Sequence, residues 1–370
     1  MRIVVLLGGI SPEREVSLRS GGGVGRALLR KGHRVTLLDT GTGRVIRTPD
    51  QAIALGARAG GGGRGGSGRP GGAAAGGAAA ERWKSALLRE RNRIDAVFVA
   101  LHGGDGEDGT VQGWLEKAGL PFTGSGSLAS GMAMDKAWAK KLFRLFDVPT
   151  PDWIALRLPR GTSRAGVLGS LDEAAIASVG GFPVVVKPNA VGSSVGISIV
   201  RDAAALRRAV LLAARYDERV LVEQFIPGRE LTVTVLNGRA LPVVEVIPSG
   251  EFYDYKRKYT AGASRYEAPA AIPEGMARLL QDYSERAFRE FGCRGVVRVD
   301  YRVRGDNAPF CLEINTVPGL TELSLVPMAA RVAGMSYESV IDEMVGAARA
   351  WAKPGRVSRP SIRAAARVAG

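Results

Sequence analysis

Residues 3–9 (IVVLLGG) form a continuous apolar run that ends in two glycines. Such a run predicts a strand buried on both faces of a parallel sheet, because a half-exposed strand would alternate apolar and polar residues. A helix from about Glu13 or Ser17 to Arg30 follows, then the strand HRVTLLDT, a helix around 81–92 and the strand DAVFVALHG. This β-α-β order predicts an open α/β sheet, with functional loops at the carboxyl ends of its strands.

The pattern changes at about residue 126 to that of an α+β fold. SLASGMAMDKAWAKKLFRLF predicts a helix, and FPVVVKPNAVGSSVGISIV predicts a strand, a Gly/Ser loop and a second strand. From about 230 to 350 we expect a mixed sheet with helices. The sequence thus predicts an N-terminal domain over 1–125, a central unit over 126–225 and a C-terminal unit over 226–352.

Two segments have the composition of flexible chain. Residues 51–80 contain 12 Gly, 10 Ala and three Arg, with no acidic residue, and the tail 353–370 has five basic residues and no acidic one. Such segments bury too little apolar surface to offset the entropy lost on ordering. We therefore expect a flexible insert at 51–80 and a flexible basic tail.

Composition excludes several classes of protein. The two cysteines, Cys293 and Cys311, lie in apolar surroundings, which indicates buried thiols in a reducing compartment. Two cysteines and two histidines argue against a zinc site. No apolar run reaches the about 20 residues of a membrane span, and the N-terminal run predicts a first strand rather than a signal peptide. We expect a cytoplasmic protein with no membrane partner.

The net charge of +15 raises the question of a polyanionic partner. Much of the basic excess is diffuse, and part of it lies in the two segments of flexible composition. No aromatic residues alternate with these charges, so a platform for stacking bases is not indicated. We expect no specific nucleic-acid partner, although weak nonspecific attraction to polyanions stays open.

The stretch FCLEINTVPGLTELSL predicts a metal and nucleotide site. Glu313 and Asn315 lie two apart on a predicted strand and share a face, and Asp300 lies on the alternating strand before it. Carboxylate and amide oxygens are ligands that Mg²⁺ accepts, usually with nucleotide phosphates supplying the rest. The alternative interpretation is a solvated strand end with a tight turn.

The loop GSSVGIS, which follows Lys187, predicts phosphate binding. Its glycines let the backbone approach phosphate oxygens, and a lysine at the end of an apolar strand is costly without an anionic partner. The alternative is an ordinary hairpin with a snorkelling lysine. The loop is neither a Walker A motif nor GxGxxG, which disfavours a nicotinamide-dependent oxidoreductase.

Four further residues and one segment allow two interpretations each. Lys136 begins a predicted helix and is either a ligand or an exposed lysine. Glu223 and Glu230 follow an apolar strand and are either nucleotide acceptors or surface carboxylates. Glu13 is a counter-ion for an ammonium group or a capping acid. FYDYKRKY is a lid over a phosphate-rich site or simply packed aromatics.

Nine motifs, in this order, resemble those of the D-alanine–D-alanine ligases of the ATP-grasp superfamily, over roughly residues 3–350. They are LLGGISPEREVS, ALHGGDGEDGTVQGWLE, PFTGSGSLAS, MDK, VKPNAVGSSVGIS, VEQFIPGRELTV, PSGEFYDYKRKY, RVDYR and EINTVPGLTELSLVPMAA. The resemblance implies an ATP-grasp fold behind a Rossmann-like N-terminal domain, with ATP held between two sheets. It implies a homodimer that makes D-alanyl-D-alanine for peptidoglycan precursors.

The implied reaction has two steps. ATP phosphorylates the carboxylate of a first D-alanine, and the amine of a second D-alanine displaces the phosphate through a tetrahedral intermediate. A carboxylate is a poor electrophile and must first gain a leaving group, so fixed cations and donors supply most of the catalysis. The implied cofactors are ATP and two Mg²⁺ (or Mn²⁺), on Asp300, Glu313 and Asn315.

The resemblance also implies roles for the nucleotide-binding residues. Lys136 and Lys187 would hold ATP phosphates, and Lys258 would touch the transferred phosphoryl group. Glu223 would bind adenine, and Glu230 would bind ribose.

The substrate residues follow in the same way. Glu13 would hold the first ammonium, with His102 close to that subsite, and hydrogen bonds from Ser193 and Tyr259 to Glu13 would close the lid. Arg298 and the Gly319 amide would stabilise the oxyanion. Ser324 and Leu325 would bind the second carboxylate.

Tyr259 favours D-alanine as the second substrate, because relatives that make D-alanyl-D-lactate often lack a tyrosine there. Three features depart from the family pattern: the insert, the tail, and KRK in the lid where many relatives have an acidic residue. Two other functions stay open, namely another carboxylate–amine ligase such as a D-alanine–D-lactate ligase, and a catalytically dead ATP-grasp protein that senses nucleotide or binds polyanions.

Overall fold

The computed structural model describes residues 1–59, 73–159, 169, 171–248 and 264–352. Within them the chain forms three sheets of four, four and six strands. The lid residues Lys258 and Tyr259 and the tail after residue 352 lie outside this part of the chain.

The first sheet is the open α/β sheet that the N-terminal sequence predicts. Its elements are β1 (Arg2–Leu7), α1 (Arg14–Arg30), β2 (Arg34–Asp39), β3 (Arg44–Ile46), α2 (Pro49–Ala59), α3 (Ala73–Glu90), β4 (Ala96–Val99) and α4 (Thr110–Ala118). The strand order is β3-β2-β1-β4, with β1 parallel to both neighbours and Leu6 opposite Leu38 and Val99. Every residue of β1 after Arg2 is buried, as a continuous apolar run requires.

The expectation of a flexible insert over residues 51–80 is wrong at both ends of that stretch. Helix α2 contains residues 51–59, and α3 begins at Ala73. Alanine has the highest helix propensity, and Ala52 and Ala79 are buried, so these short segments pack against the domain. Gly22 of α1 makes room for α2, because a Cβ there would lie 2.6 Å from Ile53. Residues 60–72 lie outside the described part.

The stretch predicted as one helix after residue 126 is two helices, α5 (Ser127–Met134) and α6 (Lys136–Leu145). Asp135 separates them in an extended conformation, and its side chain accepts a hydrogen bond from the Trp138 amide at 3.1 Å. An aspartate that caps the following helix satisfies a free backbone amide. Helix α6 therefore begins at Lys136, which fixes the direction of that side chain.

The central sheet is antiparallel throughout, in the order β5-β8-β6-β7. The bounds of its elements are β5 (Trp153–Arg157), α7 (Glu173–Ala177), β6 (Val184–Pro188), β7 (Ser198–Val200), α8 (Ala203–Ala213) and β8 (Arg219–Gln224). The predicted strand, Gly/Ser loop and strand are present as the β6–β7 hairpin. Ser193 and Ser194 in its loop have positive φ angles of 53° and 58°.

The C-terminal sheet has the order β12-β11-β9-β13-β14, with β10 paired to β9. Its region contains β9 (Arg229–Leu236), β10 (Arg239–Ala240), β11 (Val244–Pro248), β12 (Ser264–Glu267), α9 (Glu274–Glu290), β13 (Val296–Val303), β14 (Pro309–Asn315), α10 (Leu325–Val332) and α11 (Tyr337–Ala352). All its described pairings are antiparallel. The expectation of a mixed sheet is therefore wrong, because no described crossover returns a strand in parallel.

The last helix, α11, packs against the first domain. Its Ile341 and Val345 belong to one buried apolar cluster with Leu28 of α1 and Phe98 of β4. At the edge of this contact Arg30 donates to Glu338 at 2.8 Å. The N-terminal and C-terminal regions thus share a core, which holds the ends of their strands against one another. Across the described helices, none has the length and apolar character needed to cross a membrane.

Candidate active site

Two adjoining cavities lie where the three sheets meet. The larger, of about 670 Å³, lies between the first domain, the Gly/Ser loop and the segment after β14. The smaller, of about 130 Å³, lies between the central and C-terminal sheets, and both are lined by Lys136, Arg298, Glu313 and Leu325. All fourteen predicted site residues within the described part of the chain line one or both of them.

Glu13 joins the first domain to the Gly/Ser loop. It is buried at the N-terminus of α1, and one of its carboxylate oxygens accepts a hydrogen bond from the Ser193 hydroxyl. The residues lie 180 positions apart, so the hairpin loop folds over the first domain. The second contact that the resemblance implies for Glu13, from Tyr259, lies outside the described residues.

His102 ties the first domain to the segment after β14. It is buried, with Nδ1 at 3.2 Å from the Val317 carbonyl and Nε2 at 3.1 Å from the Ser20 hydroxyl. Because a carbonyl can only accept, Nδ1 carries the proton in this contact. The carboxylate of Glu107 lies 3.7 Å from the same nitrogen. The imidazole is therefore held in one orientation at the wall of the larger cavity.

The carboxylates predicted to bind metal lie on neighbouring strands. Asp300 of β13 is directly opposite Glu313 of β14, and Arg298 is opposite Asn315, with a register shift after Asp300. Opposite residues of an antiparallel pair project from the same face. This is the shared face that the spacing predicts.

Asp300 is held firmly on that face. Arg298 donates to both of its oxygens, at 2.8 and 2.7 Å, and Thr232 donates to Oδ1 at 2.6 Å. The Asn315 Oδ1 accepts from the Val317 amide at 2.9 Å, which orients the amide. Sequence reasoning missed Thr232, because its contact with Asp300 depends on the pairing of β9 with β13.

This donor set fits a magnesium ion, with two carboxylates and one amide oxygen on one face. Among the residues that the structure describes, no three His, Cys, Asp or Glu side chains group together as a metal site. A cation here could take the Asn315 oxygen beside the two carboxylates and complete its coordination with waters or phosphate oxygens. Few protein oxygens with waters and substrate phosphates are the usual ligands of Mg²⁺ at nucleotide sites.

A buried cluster of two lysines and one carboxylate lies beside the smaller cavity. Lys187 donates to Glu223 Oε1 at 2.9 Å, and Lys140 lies 2.6 Å from Oε2. Burial alone would raise the pKa of Glu223, but the two ammonium groups outweigh it and lower that pKa. The anionic partner that the burial of Lys187 demands is thus Glu223, a protein group, and not only a ligand as the sequence suggested.

The sequence did not predict Lys140 as a residue of the site. Its one signal is its position four residues after Lys136, which puts the two lysines on one face of α6. Lys136 itself is buried, donates to the Val191 carbonyl at 3.0 Å and lies 3.6 Å from Glu313. The interpretation of Lys136 as an exposed helix lysine is therefore wrong.

The half-buried Glu230 lies at the far side of the smaller cavity, 3.6 Å from the guanidinium of Arg302. Arg302 of β13 is the residue directly opposite Glu230 of β9 in the strand pairing. The carboxylate of Glu230 lies at the cavity wall, where it can accept hydrogen bonds from hydroxyl donors.

The N-terminus of α10 closes the larger cavity. Ser324 precedes this helix, and its hydroxyl accepts from the Thr321 amide at 3.1 Å. A Cβ at Gly319 would lie 3.0 Å from that hydroxyl, so a side chain there would crowd the turn. Free amides at the start of a helix attract anions, which suits a carboxylate near Ser324 and Leu325.

An antiparallel central sheet facing a larger antiparallel sheet across a cleft of lysines and carboxylates is the ATP-grasp fold, which defines a class of ATP-dependent ligases. The model for the D-ala D-ala ligase N-terminus matches residues 2–125, and that for the D-ala D-ala ligase C-terminus matches residues 142–346. The chain belongs to the D-alanine–D-alanine ligase family.

Relatives and solved structures resemble the chain over nearly its whole length. It is 41% identical to the D-alanine–D-alanine ligase of Syntrophotalea carbinolica, over 94% of this chain and 96% of the relative. The D-alanine–D-alanine ligase of Bacillus anthracis complexed with ATP has a TM-score of 0.71 at 28% identity, covering 95% and 98% of the two chains. The VanG D-Ala:D-Ser ligase of Enterococcus faecalis has a TM-score of 0.74 at 26% identity, covering 94% and 99%.

Proposed function

We propose that this protein ligates two D-alanines to D-alanyl-D-alanine, with ATP as the phosphoryl donor and D-alanyl phosphate as the intermediate, for peptidoglycan precursor synthesis. The observation that carries the proposal is the gathering of all fourteen described site residues around two adjoining cavities. Family membership, over 94% of the chain at 41% identity to a named ligase, supports the same conclusion.

In the first step the residues neutralise the charge that a carboxylate and a phosphate bring together. Glu13 pairs with the ammonium of the first D-alanine, and the Ser193 hydrogen bond fixes Glu13 for this contact. Lys136 and Lys187 hold the phosphates of ATP, so that attack by the D-alanine carboxylate builds less negative charge. Lys258 would touch the transferred group.

The carboxylates on β13 and β14 hold the metal ions in this proposal. Asp300, Glu313 and Asn315 would bind two Mg²⁺ (or Mn²⁺), which when bound neutralise phosphate charge. The hydrogen bonds from Arg298 and Thr232 keep Asp300 in place for this role.

In the second step the amine of the second D-alanine attacks the acyl phosphate carbon, and the tetrahedral intermediate then breaks its C–O bond to release phosphate. Arg298 and the Gly319 amide stabilise the oxyanion, and Ser324 and Leu325 at the start of α10 bind the second carboxylate. Glu223 and Glu230 would bind adenine and ribose at the other end of the smaller cavity. His102 would support the first subsite from its fixed position.

The test is release of ADP from ATP and Mg²⁺ with defined substrates, followed by product mass. D-alanine alone should give ADP and D-alanyl-D-alanine, and L-alanine should give neither. D-alanine mixed with D-lactate or D-serine reports whether the acceptor is a hydroxy acid or another amino acid. D-serine is included because one similar solved structure is a D-Ala:D-Ser ligase. No ADP from folded protein, together with salt-dependent DNA binding, would instead support the dead ATP-grasp alternative.

Three coarser assignments complete the proposal. We divide the chain into domains at 1–125, 126–225 and 226–352, and the described strands of each sheet fall within one of these segments, which supports the division. The enzyme acts as a homodimer, and it works in the cytoplasm. Light scattering of the purified protein would test the dimer.

A further inference from the structure

Lys140 is entirely buried and reaches the site only through another residue. Its side chain is 0% exposed, and it lines neither cavity. Besides its contact with Glu223, its ammonium donates to the Thr150 hydroxyl at 2.9 Å and the Pro151 carbonyl at 3.2 Å. The ion pair with Glu223 and these two hydrogen bonds together hold the ammonium in place.

The charges of this cluster do not balance. Glu223 contributes one negative charge, and Lys187 and Lys140 each contribute a positive one at opposite oxygens. Lys187 lines the smaller cavity, whereas Lys140 lies behind Glu223. With Lys140 removed, Lys187 and Glu223 would form a neutral pair, and the cavity would lose one positive charge in a poorly solvated place.

We propose that Lys140 is a positioning residue for the nucleotide: it holds and neutralises Glu223, so that Glu223 does not cancel the positive field that Lys187 offers to the phosphates of ATP. This inference rests on the proposed function. It assigns Glu223 a second task beside adenine binding, because both of its oxygens are fixed by lysines before any ligand arrives. Lys140 itself touches no substrate.

The surroundings of Lys140 add a dependence on pH. Burial lowers the pKa of Lys140 to about 8, with repulsion from Lys187 in the same direction, and Glu223 and the Cys311 thiol oppose it. The guanidinium of Arg144, on the same helix, lies over the same Trp153 ring as Lys140. A lysine is charged below its pKa, so Lys140 loses its charge as the pH rises through about 8. The KM for ATP should then rise.

The experiment compares Lys140→Met with Lys141→Met in the full-length enzyme. Lys141 is the next residue of α6 and lies 4.5 Å from the ring of the exposed Trp138, away from both cavities. Steady-state KM for ATP and kcat are measured from about pH 6.5 to 9.5, with calorimetric binding of ATP in the absence of D-alanine. Lys140→Met should raise the KM for ATP about tenfold or more below pH 8 and remove its rise above pH 8, with little change in kcat. Lys141→Met should behave as wild type.

Thr150→Val provides a second test that keeps all three charges. It removes one acceptor of the ammonium, which lowers the pKa of Lys140, so the rise in KM for ATP should move to lower pH. If Lys140→Met fails to fold, this shift decides the matter, and an unmoved profile overturns the inference.

The outcomes separate the two proposals. Wild-type turnover with an unchanged KM for ATP in Lys140→Met overturns the inference alone. A lower melting temperature with the wild-type pH profile of KM would also overturn it, because it would show a purely structural role. Wild-type protein that binds no ATP overturns the proposed function and the inference together.

Discussion

Two glutamates that pair with lysines, Glu223 and Glu313, line the smaller cavity and differ in their exposure to solvent. The side chain of Glu223 is 3% exposed, and two ammonium groups lie within 2.9 Å of its oxygens. The side chain of Glu313 is 34% exposed, and the ammonium of Lys136 lies 3.6 Å away. The first carboxylate is already neutralised by the protein, whereas the second keeps much of its negative field for a cation that enters the cavity.

The strands explain this difference. Glu223 lies on β8, which has neighbours on both sides, so Trp153 of β5 and Val185 of β6 flank it. Glu313 lies on β14, which is the edge of its sheet. The buried carboxylate has lost its water and needs internal partners, whereas the partly exposed one stays open to solvent and ligands. Similar residue pairs thus serve different purposes because of where the sheet puts them.

The largest expected effect comes from the open carboxylate. Glu313→Ala should lower kcat by well over about a hundredfold, because loss of a residue that orients a metal ligand already costs 10- to 100-fold. Its stability to urea should stay near wild type, since the side chain is partly exposed. ADP release and urea unfolding, measured on one preparation, test the expected fall in kcat and the unchanged stability. Normal turnover would show that the metal assignment is wrong.

Removal of the buried carboxylate should instead cause a large loss of stability. Glu223→Ala leaves two buried ammonium groups without their partner, which should cost about 3–5 kcal/mol of unfolding free energy. The matched control is Glu218→Ala, because Glu218 pairs with Arg157 at 3.2 Å on the exposed surface nearby. That control should cost less than about 1 kcal/mol. Equal losses of unfolding free energy in Glu223→Ala and Glu218→Ala would contradict the assignment of Glu223 as a buried, protein-neutralised carboxylate.

A smaller effect is expected at the third carboxylate, Glu13. Ser193→Ala removes a hydrogen bond to a charged group, which should lower kcat/KM for the first D-alanine about 10- to 100-fold. Ser178→Ala serves as the control, since its exposed hydroxyl donates to the Ala175 carbonyl and lines neither cavity. If both variants keep wild-type kinetics, Ser193 does not position Glu13.

The smallest effect is expected at Tyr259, the predicted lid residue. Tyr259→Phe should leave folding and the KM for ATP unchanged and alter the ratio of D-lactate to D-alanine incorporation. Product masses from competing acceptors measure that ratio. A ratio equal to wild type would count against Tyr259 as the residue that selects the acceptor.

Sequence patterns predicted the parts of this fold that depend on neighbours along the chain. The apolar run of β1 and the alternation around Asp300 and Glu313 each gave the correct strand and face. The alanine-rich ends of the insert were mispredicted, because composition averages hide single buried positions such as Ala52. The helix break at Asp135 was missed, since it depends on a cap formed after folding.

The site was predictable in its ligand residues but less so in what supports them. Lys187 was correctly expected to need an anionic partner. That this partner is Glu223, and that Lys140 shares it, depends on contacts across 36 and 83 residues. No local pattern encodes such contacts, because they form only when β6 pairs with β8 and when α6, which packs on β14, brings Lys140 to Glu223.

The position of α11 has a consequence for synthesis of the protein. Ile341 and Val345 complete the apolar cluster that contains Leu28 and Phe98 of the first domain. Because a ribosome releases the chain from its N-terminus, the first domain emerges long before the helix that covers it. Its apolar face must wait uncovered until translation is nearly finished, so a chain that stops before residue 337 exposes an aggregation-prone surface and should be rapidly degraded.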